Sequence, residues 1–235
     1  MDKIAIVSGA SSGLGREISI ELSKENYHVV IIGRNKKRLT STFNEIKNNG
    51  KKSTLILLDL CKENFVEKLK KKVASINGCV DVVVNNAGLG IFDKIENIKR
   101  KDWDNQLYVN LTSSFLISQL FIPEMKQRKN GCLIYVNSVA GKTGYPFSSA
   151  YVASKFALRG FANSIREELR EFNIKVISVF PGAIDTPFWD NVDADFPREE
   201  MMTSREVAFT IINILNKNGV GVVEELVIRR NKGDF

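Results

Sequence analysis

Tyr151 and Lys155 stand four residues apart in a stretch with helical patterning over about 150–171. That spacing sets the phenol and the ammonium on one face of a helix. A tyrosine ordinarily titrates near ~10, and a neighbouring cation favours its anion. Lowering it to near neutrality takes roughly 4 kcal/mol of differential stabilisation and makes the phenol a usable general acid and base. Ser138 lies thirteen residues before Tyr151, after the apolar run 133–136 and Asn137. It falls at the carboxyl end of a strand, where open α/β sheets bind ligands. Y-x-x-x-K alone also describes an exposed helix pair, and the strand-end serine is what argues for chemistry. Tyr108 and Tyr145 compete as acids, but neither has a lysine four residues on.

A second set of residues is suited to holding a diphosphate. After the first apolar run come Gly9, Ser11, Ser12, Gly13, Leu14 and Gly15, in the spacing G-x-x-x-G-x-G, and then a helical pattern from near Arg16. Glycines at a strand-to-helix turn let an anion approach main-chain N–H groups at the positive end of a helix. The spacing differs from the better-known G-x-G-x-x-G, and a structural turn without ligand is the competing reading. The second apolar run ends in Gly33-Arg34, with no carboxylate before Glu45. An NAD site commonly places a carboxylate there for the ribose hydroxyls, whereas a cation suits the 2′-phosphate of NADP. NADP(H) is therefore the expected cofactor, against the alternative that Arg34 is one more surface arginine.

These residues need a frame, and the sequence supplies one. Apolar, β-branched runs at 4–7, 29–32, 55–58, 80–84, 133–136, 174–179 and 222–228 read as strands buried on both faces. Amphipathic stretches separate them. Phe65, Leu69, Val73 and Ile76 form one apolar stripe, a long helix follows Asp102 as a candidate N-cap, and Thr203 with Glu206 forms a capping-box signature. The alternation predicts an α/β fold, a doubly wound sheet of about seven parallel strands with helices on both faces. No composition break divides the 235 residues, so one domain is expected over 1–235, with a short substrate loop at about 187–204.

Composition removes other chemistries. Apolar residues make up 43% and charged residues 26%, with 16 Gly and 5 Pro, which excludes collagen-like and disordered chains. His28 is the single histidine, so a site with two histidine ligands is impossible, and it is expected at the surface. Cys61, Cys79 and Cys132 show no C-x-x-C pairing and are expected to be buried and reduced; no metal is called for. The net charge of +7 is spread over 36–38, 68–72 and 99–101 among acidic neighbours, which favours solvated helix faces over an RNA-binding patch. No apolar run approaches the ~18 residues of a membrane helix, and Met1, Asp2 and Lys3 lead straight into 4–7 without a leader pattern. A cytoplasmic protein is expected, with partners neither nucleic acid nor membrane.

Together the glycine turn 9–15, Asp59, Asn85-Asn86-Ala87-Gly88, Asn110, Ser138, Tyr151, Lys155 and the run from Pro181-Gly182 to Thr186 resemble the short-chain dehydrogenase/reductase superfamily, in order and spacing, over essentially the whole chain. The resemblance implies a Rossmann-type domain of seven parallel strands, a nicotinamide cofactor, and homodimers or homotetramers built through the helices holding Asn110 and Tyr151. It further implies a hydride transfer in which Tyr151 is the acid/base, Lys155 holds the nicotinamide ribose and lowers the tyrosine pKa, Ser138 positions the carbonyl, and Asn110 supports a relay water. Asp59 with Leu60 would meet the adenine, Asn86, Ala87 and Gly88 would line the trough, and Pro181, Gly182, Ile184 and Thr186 would lie along the carboxamide side. Asn85, Asn86 and Asn110 also admit purely structural roles as satisfied amides.

Substrate is less determined. Residues 187–202 include Phe188, Trp189, Phe196, Met201 and Met202, an expected apolar lid short enough to favour small carbonyls or secondary alcohols. Members reducing 3-oxoacyl thioesters typically end in Val-Asp-Gly-Gly after the last strand. This chain ends Val227-Ile228-Arg229-Arg230-Asn231-Lys232-Gly233-Asp234-Phe235, which looks more like members acting on hydroxy acids, hydroxy ketones or pteridine-type carbonyls. A thioester reductase of fatty-acid synthesis is the alternative, and a non-catalytic NADP-sensing regulator, expected to lack part of the Asn110–Ser138–Tyr151–Lys155 set, is the third reading.

Overall fold

In a computed structural model that describes residues 1–192, 197–215 and 221–233, strands and helices alternate as the apolar runs require. The order is β1 (Asp2–Ser8), α1 (Gly13–Lys24), β2 (His28–Gly33), α2 (Lys36–Asn48), β3 (Ser53–Leu57), α3 (Phe65–Val73) and β4 (Gly78–Asn85). Then come α4 (Arg100–Leu107), α5 (Ser113–Arg128), β5 (Gly131–Val136), α6 (Ser149–Leu169), β6 (Ile174–Pro181), β7 (Ile184–Asp185), β8 (Met202–Thr203), α7 (Ser204–Leu215) and β9 (Glu225–Ile228). Seven strands form one parallel sheet in the order β3-β2-β1-β4-β5-β6-β9, while β7 and β8 make a separate two-stranded pair.

Both faces of the sheet are buried, and successive strand residues serve opposite cores. Val7, Val29, Ile31, Val84 and Ile134 pack with Ile18 and Leu22 of α1 and Val207 and Ile211 of α7. Ile6, Val30, Ile32, Val83 and Leu133 pack with Leu69 of α3, Ile117 and Phe121 of α5 and Leu158 of α6. At about 25 cal/mol per Å² of apolar area removed from water, this double burial is the main favourable term holding the layers. The chain leaves β1 for β2 on one side and returns to β4 on the other. The direction of winding thus reverses between β1 and β4, where the carboxyl ends of an open sheet leave a crevice.

Several sequence expectations are corrected. The helix expected to follow Asp102 starts earlier, at Arg100 with Lys99 as N-cap, and Asp102 sits in its first turn, where its carboxylate faces the positive helix end. Between α4 and α5 the backbone widens into a π-turn at Tyr108–Thr112, with the Ser113 N–H donating to the Tyr108 carbonyl five residues back. The last strand begins at Glu225 and not at Val222. His28 is only 15% exposed at its side chain and its Nε2 lies 2.8 Å from the Thr54 hydroxyl, while Cys61 is exposed.

The described residues of the expected substrate loop at about 187–204 hold short turns and a strand pair. Pro187–Asn191 and Arg198–Glu200 are short 3₁₀ turns, and Met201 and Met202 are buried, with Met202 packed in the sheet core and paired through β8 to β7. Their side chains serve packing and not a lid. Phe196, Asp234 and Phe235 lie outside the described residues. No described helix is long and apolar enough to cross a membrane.

Candidate active site

The glycine turn and the end of β4 are stitched together by a residue whose role the sequence did not announce. Ser8 Oγ accepts from the backbone N–H groups of Asn86 and Ala87, at 3.0 and 3.1 Å, and donates to the Val84 carbonyl at 3.3 Å. The Asn86 amide donates to the carbonyls of Ser8 and Gly9, at 3.0 and 3.3 Å. Asn86 therefore shapes the crevice by tying its two edges. Gly13 adopts φ +53°, and a Cβ there would stand 2.9 Å from Thr186 Cγ2, so the turn and the segment after β7 meet as closely as a glycine permits. Ser12, extended at φ −167°, makes no side-chain cap bond to α1, and Ser11 Oγ is buried without a partner.

Around this cradle the other expected residues fall into two groups. Leu14, Gly15, Leu60, Pro181 and Ile184 are buried and support the walls. Arg34 is exposed at the carboxyl end of β2, and Asp59 follows β3, its carboxylate accepting from the Cys61 N–H at 3.0 Å. Gly182 donates to the Ile228 carbonyl at 2.8 Å, anchoring the turn after β6 to β9. The Thr186 hydroxyl accepts from Phe188 N–H at 3.3 Å and its carbonyl from Arg198, which leaves the hydroxyl proton free to turn toward a ligand.

Ser138, Tyr151, Lys155 and Asn110 converge beside the cradle. Ser138 is held at the end of β5 by Asn137, whose Oδ1 accepts from the Ser138 N–H at 2.9 Å and whose Nδ2 donates to the Lys155 carbonyl at 3.0 Å. One buried amide thus fixes the distance between the serine and the Tyr151–Lys155 helix. Lys155 is 3% exposed and its ammonium donates to the Val136 carbonyl at 3.0 Å. A Cβ on Gly88 would lie 3.7 Å from Asn110 Oδ1 and 3.8 Å from Lys155 Nζ, so these three residues line one spot. The Asn110 side chain accepts from Leu89 N–H at 2.7 Å and donates to the Leu89 carbonyl at 2.9 Å and to Ser154 Oγ at 2.8 Å. That pairing is the satisfied-amide arrangement, on the π-turn.

Electrostatics depart from expectation. Burial pushes Tyr151 up to about 12, and a side-chain hydrogen bond with Ser138 works against that rise. Burial likewise brings Lys155 down to about 8. The ammonium lies 5.6 Å from the Tyr151 ring centroid and points at Val136. Burial thus works against the charged form of both groups, the tyrosinate and the ammonium alike. At neutral pH the pair is a protonated phenol beside a poorly solvated ammonium, which is the state suited to giving a proton away.

Aromatic rings complete the surroundings. Phe92 and Phe188 approach the Tyr151 ring at 5.5 and 5.7 Å between centroids, and each other at 5.9 Å, while Trp189 packs on Phe188 at 5.5 Å. Gly90 makes room for them, since a Cβ there would come within 2.6 Å of Phe92 Cζ. Phe188 and Trp189 fall in the expected loop. Phe92 had no periodicity or motif to distinguish it and was not anticipated.

The crevice also fits a dinucleotide in kind. The unpartnered Ser11 hydroxyl, the uncapped start of α1 and a buried ammonium with donors to spare are polar groups of the sort an anionic, hydroxyl-rich ligand satisfies. Comparison with known proteins agrees. The family model for short chain dehydrogenase matches residues 3–196. A sepiapterin reductase from Chlorobaculum tepidum is 29% identical over 242 residues, spanning 100% of this chain and 99% of that protein. A 3-oxoacyl-(acyl-carrier-protein) reductase from Staphylococcus aureus is 34% identical over 209 residues, 88% of this chain and 85% of its own length. Among solved structures, an alcohol dehydrogenase from Thermococcus sibiricus complexed with 5-hydroxy-NADP superposes with a TM-score of 0.89 at 28% identity, covering 98% of this chain and 97% of that one. The chain belongs to the short-chain dehydrogenase family.

Proposed function

We propose that this protein is an NADP(H)-dependent reductase of small carbonyl compounds, and in reverse a secondary-alcohol dehydrogenase, working as one dinucleotide-binding and catalytic domain. The observation that carries the reading is the meeting of Ser138, Tyr151 and Lys155 at the mouth of the glycine cradle, with Asn137 fixing serine to helix. When bound, a nicotinamide cofactor supplies the hydride for reduction and takes it up in oxidation. Ser11, Ser12, the backbone from Gly9 to Gly15 and Arg34 hold its phosphates, Asp59 and Leu60 flank the adenine, and Asn86, Ala87, Gly88, Pro181, Gly182, Ile184 and Thr186 line its length.

In the reductive direction Ser138 Oγ donates to the substrate oxygen and orients it. Tyr151 Oη, protonated at neutral pH, gives its proton as alkoxide charge develops, a contribution of typically ~10²–10⁴ in rate. Lys155 places its positive charge next to that oxygen and to the ribose hydroxyls, and the aromatic rings of Phe92 and Phe188 exclude water, which strengthens both interactions. Asn110 holds the Leu89 turn and the widened helix against which a relay water would rest. Homo-oligomers form through the α5 and α6 faces, where Phe115 and Phe156 are 39% and 44% exposed. The cytoplasm is the setting we assign.

The likeness to a sepiapterin reductase supports a pteridine-side-chain or hydroxy-ketone substrate, and the 34% identity to the thioester reductase keeps 3-oxoacyl thioesters as the second reading. Steady-state assays with NADPH and a panel of diketone, hydroxy ketone, pteridine ketone and acetoacetyl thioester decide between them. Turnover of the small ketones above the thioester is expected. Absence of turnover with all four contradicts the proposal, and an unaltered NADPH-over-NADH preference in Arg34→Ala contradicts the role given to Arg34.

A further inference from the structure

Arg198 spends its guanidinium on the segment that opens with β7. Nε donates to Asp185 Oδ1 at 2.6 Å, Nη2 to the Thr186 carbonyl at 3.0 Å and Nη1 to Asp190 Oδ1 at 3.2 Å. A guanidinium is a rigid planar fork, so bonds to three residues fix both the distance and the angle of that segment, which a single contact would not. Asp185 and Asp190 share this cation, and without it the two carboxylates repel each other across the same space.

Arg198 is itself held in place. Its 3₁₀ turn ends in Glu200, whose carboxylate lies 2.6 Å from Arg230 Nη1 and 3.7 Å from Lys232 Nζ, both beyond β9. The chain then passes through buried Met201 into β8, where the Met202 N–H donates to the Ala183 carbonyl at 3.1 Å and β8 pairs with β7. What the clasp places is one wall of the crevice. A Cβ on Gly13 would stand 2.9 Å from Thr186 Cγ2, so the position of Thr186 sets the clearance over the glycine turn. The Phe188 N–H donates to Thr186 Oγ1 at 3.3 Å, and the Phe188 ring lies 5.7 Å from that of Tyr151. Trp189 Nε1 donates to the Ile184 carbonyl at 2.9 Å. The side chains of Asp185, Asp190 and Arg198 are each about half exposed, where ion pairs add little to folding stability. The three bonds therefore act on local position.

We infer that Arg198 is a positioning residue: its guanidinium clasps residues 185–190 and so holds Thr186 against the glycine turn and Phe188 against the Tyr151 ring, giving the nicotinamide half of NADP(H) a preformed wall. The inference rests on the proposed reductase function and extends it to a residue that acts only through others. A wall already in place spares binding the cost of ordering it. A seat displaced by ~1 Å can cost on the order of 10²-fold in rate, so small losses of position are measurable.

The test compares wild type, Arg198→Gln and Arg198→Lys. Binding of NADPH is followed by its own fluorescence, and binding of adenosine 2′,5′-bisphosphate, the half of the cofactor without nicotinamide, by calorimetry. In Arg198→Gln the Kd for NADPH should rise about tenfold, with the Kd for the bisphosphate and the melting temperature unchanged. Arg198→Lys keeps the charge and loses the fork, and should recover only part of the NADPH affinity. Full recovery by lysine, unaltered NADPH affinity in Arg198→Gln, or an equal loss for both ligands overturns the positioning role. A second readout needs no cofactor. In a Trp103→Phe background, where Trp189 is the one remaining tryptophan, acrylamide should quench its fluorescence more readily in Arg198→Gln than with Arg198 in place. Unaltered quenching overturns the clasp and leaves the reductase function standing. Raised quenching, with no NADPH bound by wild type, supports the clasp and overturns the reductase function.

Discussion

At the scale of the residue, the buried Lys155 ammonium costs the fold free energy that its bond to the Val136 carbonyl does not return. Lys155→Met, similar in volume and free of charge, is expected to leave the melting temperature unchanged or higher while removing reductase activity. A clear loss of stability contradicts that view of the residue. The same burial sets a pH dependence. Tyr151 keeps its proton to about 12 and Lys155 loses its own near 8, so kcat/KM for reduction, which reports the free enzyme, is level at neutral pH and falls as pH rises through about 8. A falling limb seen only near the ordinary lysine value contradicts the assignment. Spacing and residue type made Tyr151, Lys155 and Ser138 legible in the sequence. The direction of the tyrosine shift was not, because it depends on whether burial or charge wins, and burial is invisible in a linear pattern. Ser8 and Asn137 were missed for a related reason: their roles are hydrogen bonds to backbone at positions far along the chain or on another element.

At the scale of the element, the strands were legible because β-branched runs buried on both faces are distinctive, and all seven appear in the sheet. Ends were less so. The start of α4 went to Lys99 although Asp102 has the better capping chemistry, since the Asp102 and Trp103 N–H groups both reach the Lys99 carbonyl, at 2.9 and 3.0 Å. The π-turn at Tyr108–Thr112 left no sign in the hydrophobic pattern, yet it carries Asn110. The Thr203–Glu206 signature was read correctly: Thr203 Oγ1 accepts from the Glu206 N–H at 3.2 Å and donates to its carboxylate at 2.8 Å. Thr203→Ala removes that cap and is expected to cost about 1 kcal/mol of stability in chemical denaturation, with the denaturant slope unchanged. A cost near zero contradicts the cap as the start of α7.

At the scale of the whole molecule, the short edge strand β9 is bound to the active-site elements by charge. Glu225 meets Lys142, just after Ser138, at 2.5 Å and Arg159, one turn beyond Lys155, at 3.0 Å, while Glu224 meets Arg170 at 2.8 Å. Burial opposes ionisation of Glu225, but bonds from Lys142 and Arg159 prevail and hold its carboxyl below the ordinary value. The sign follows: this stability is present above the unfolded carboxyl pKa and is lost as pH falls through the lower, folded one. Glu225→Gln is expected to lower stability at neutral pH by about 1 kcal/mol, roughly 2–4 °C in melting temperature, and by less in high salt. An unchanged melting temperature contradicts the bracing role. Val222 to Ile228 read as one strand in the sequence, which carried no hint of the ion pairs its two glutamates make with Lys142, Arg159 and Arg170.

In the proposed function, Tyr151 delivers a proton while hydride passes between NADP(H) and a carbonyl carbon. The most direct measurement supplies wild type and Tyr151→Phe with a reducible ketone and NADPH deuterated at the transferred position of nicotinamide C4, and follows label by mass spectrometry. Deuterium on the carbinol carbon with wild type, and product formation about 10²-fold or more slower in Tyr151→Phe at unchanged cofactor affinity, is the predicted result. Label absent from the carbinol carbon, or equal rates for the two proteins, contradicts it.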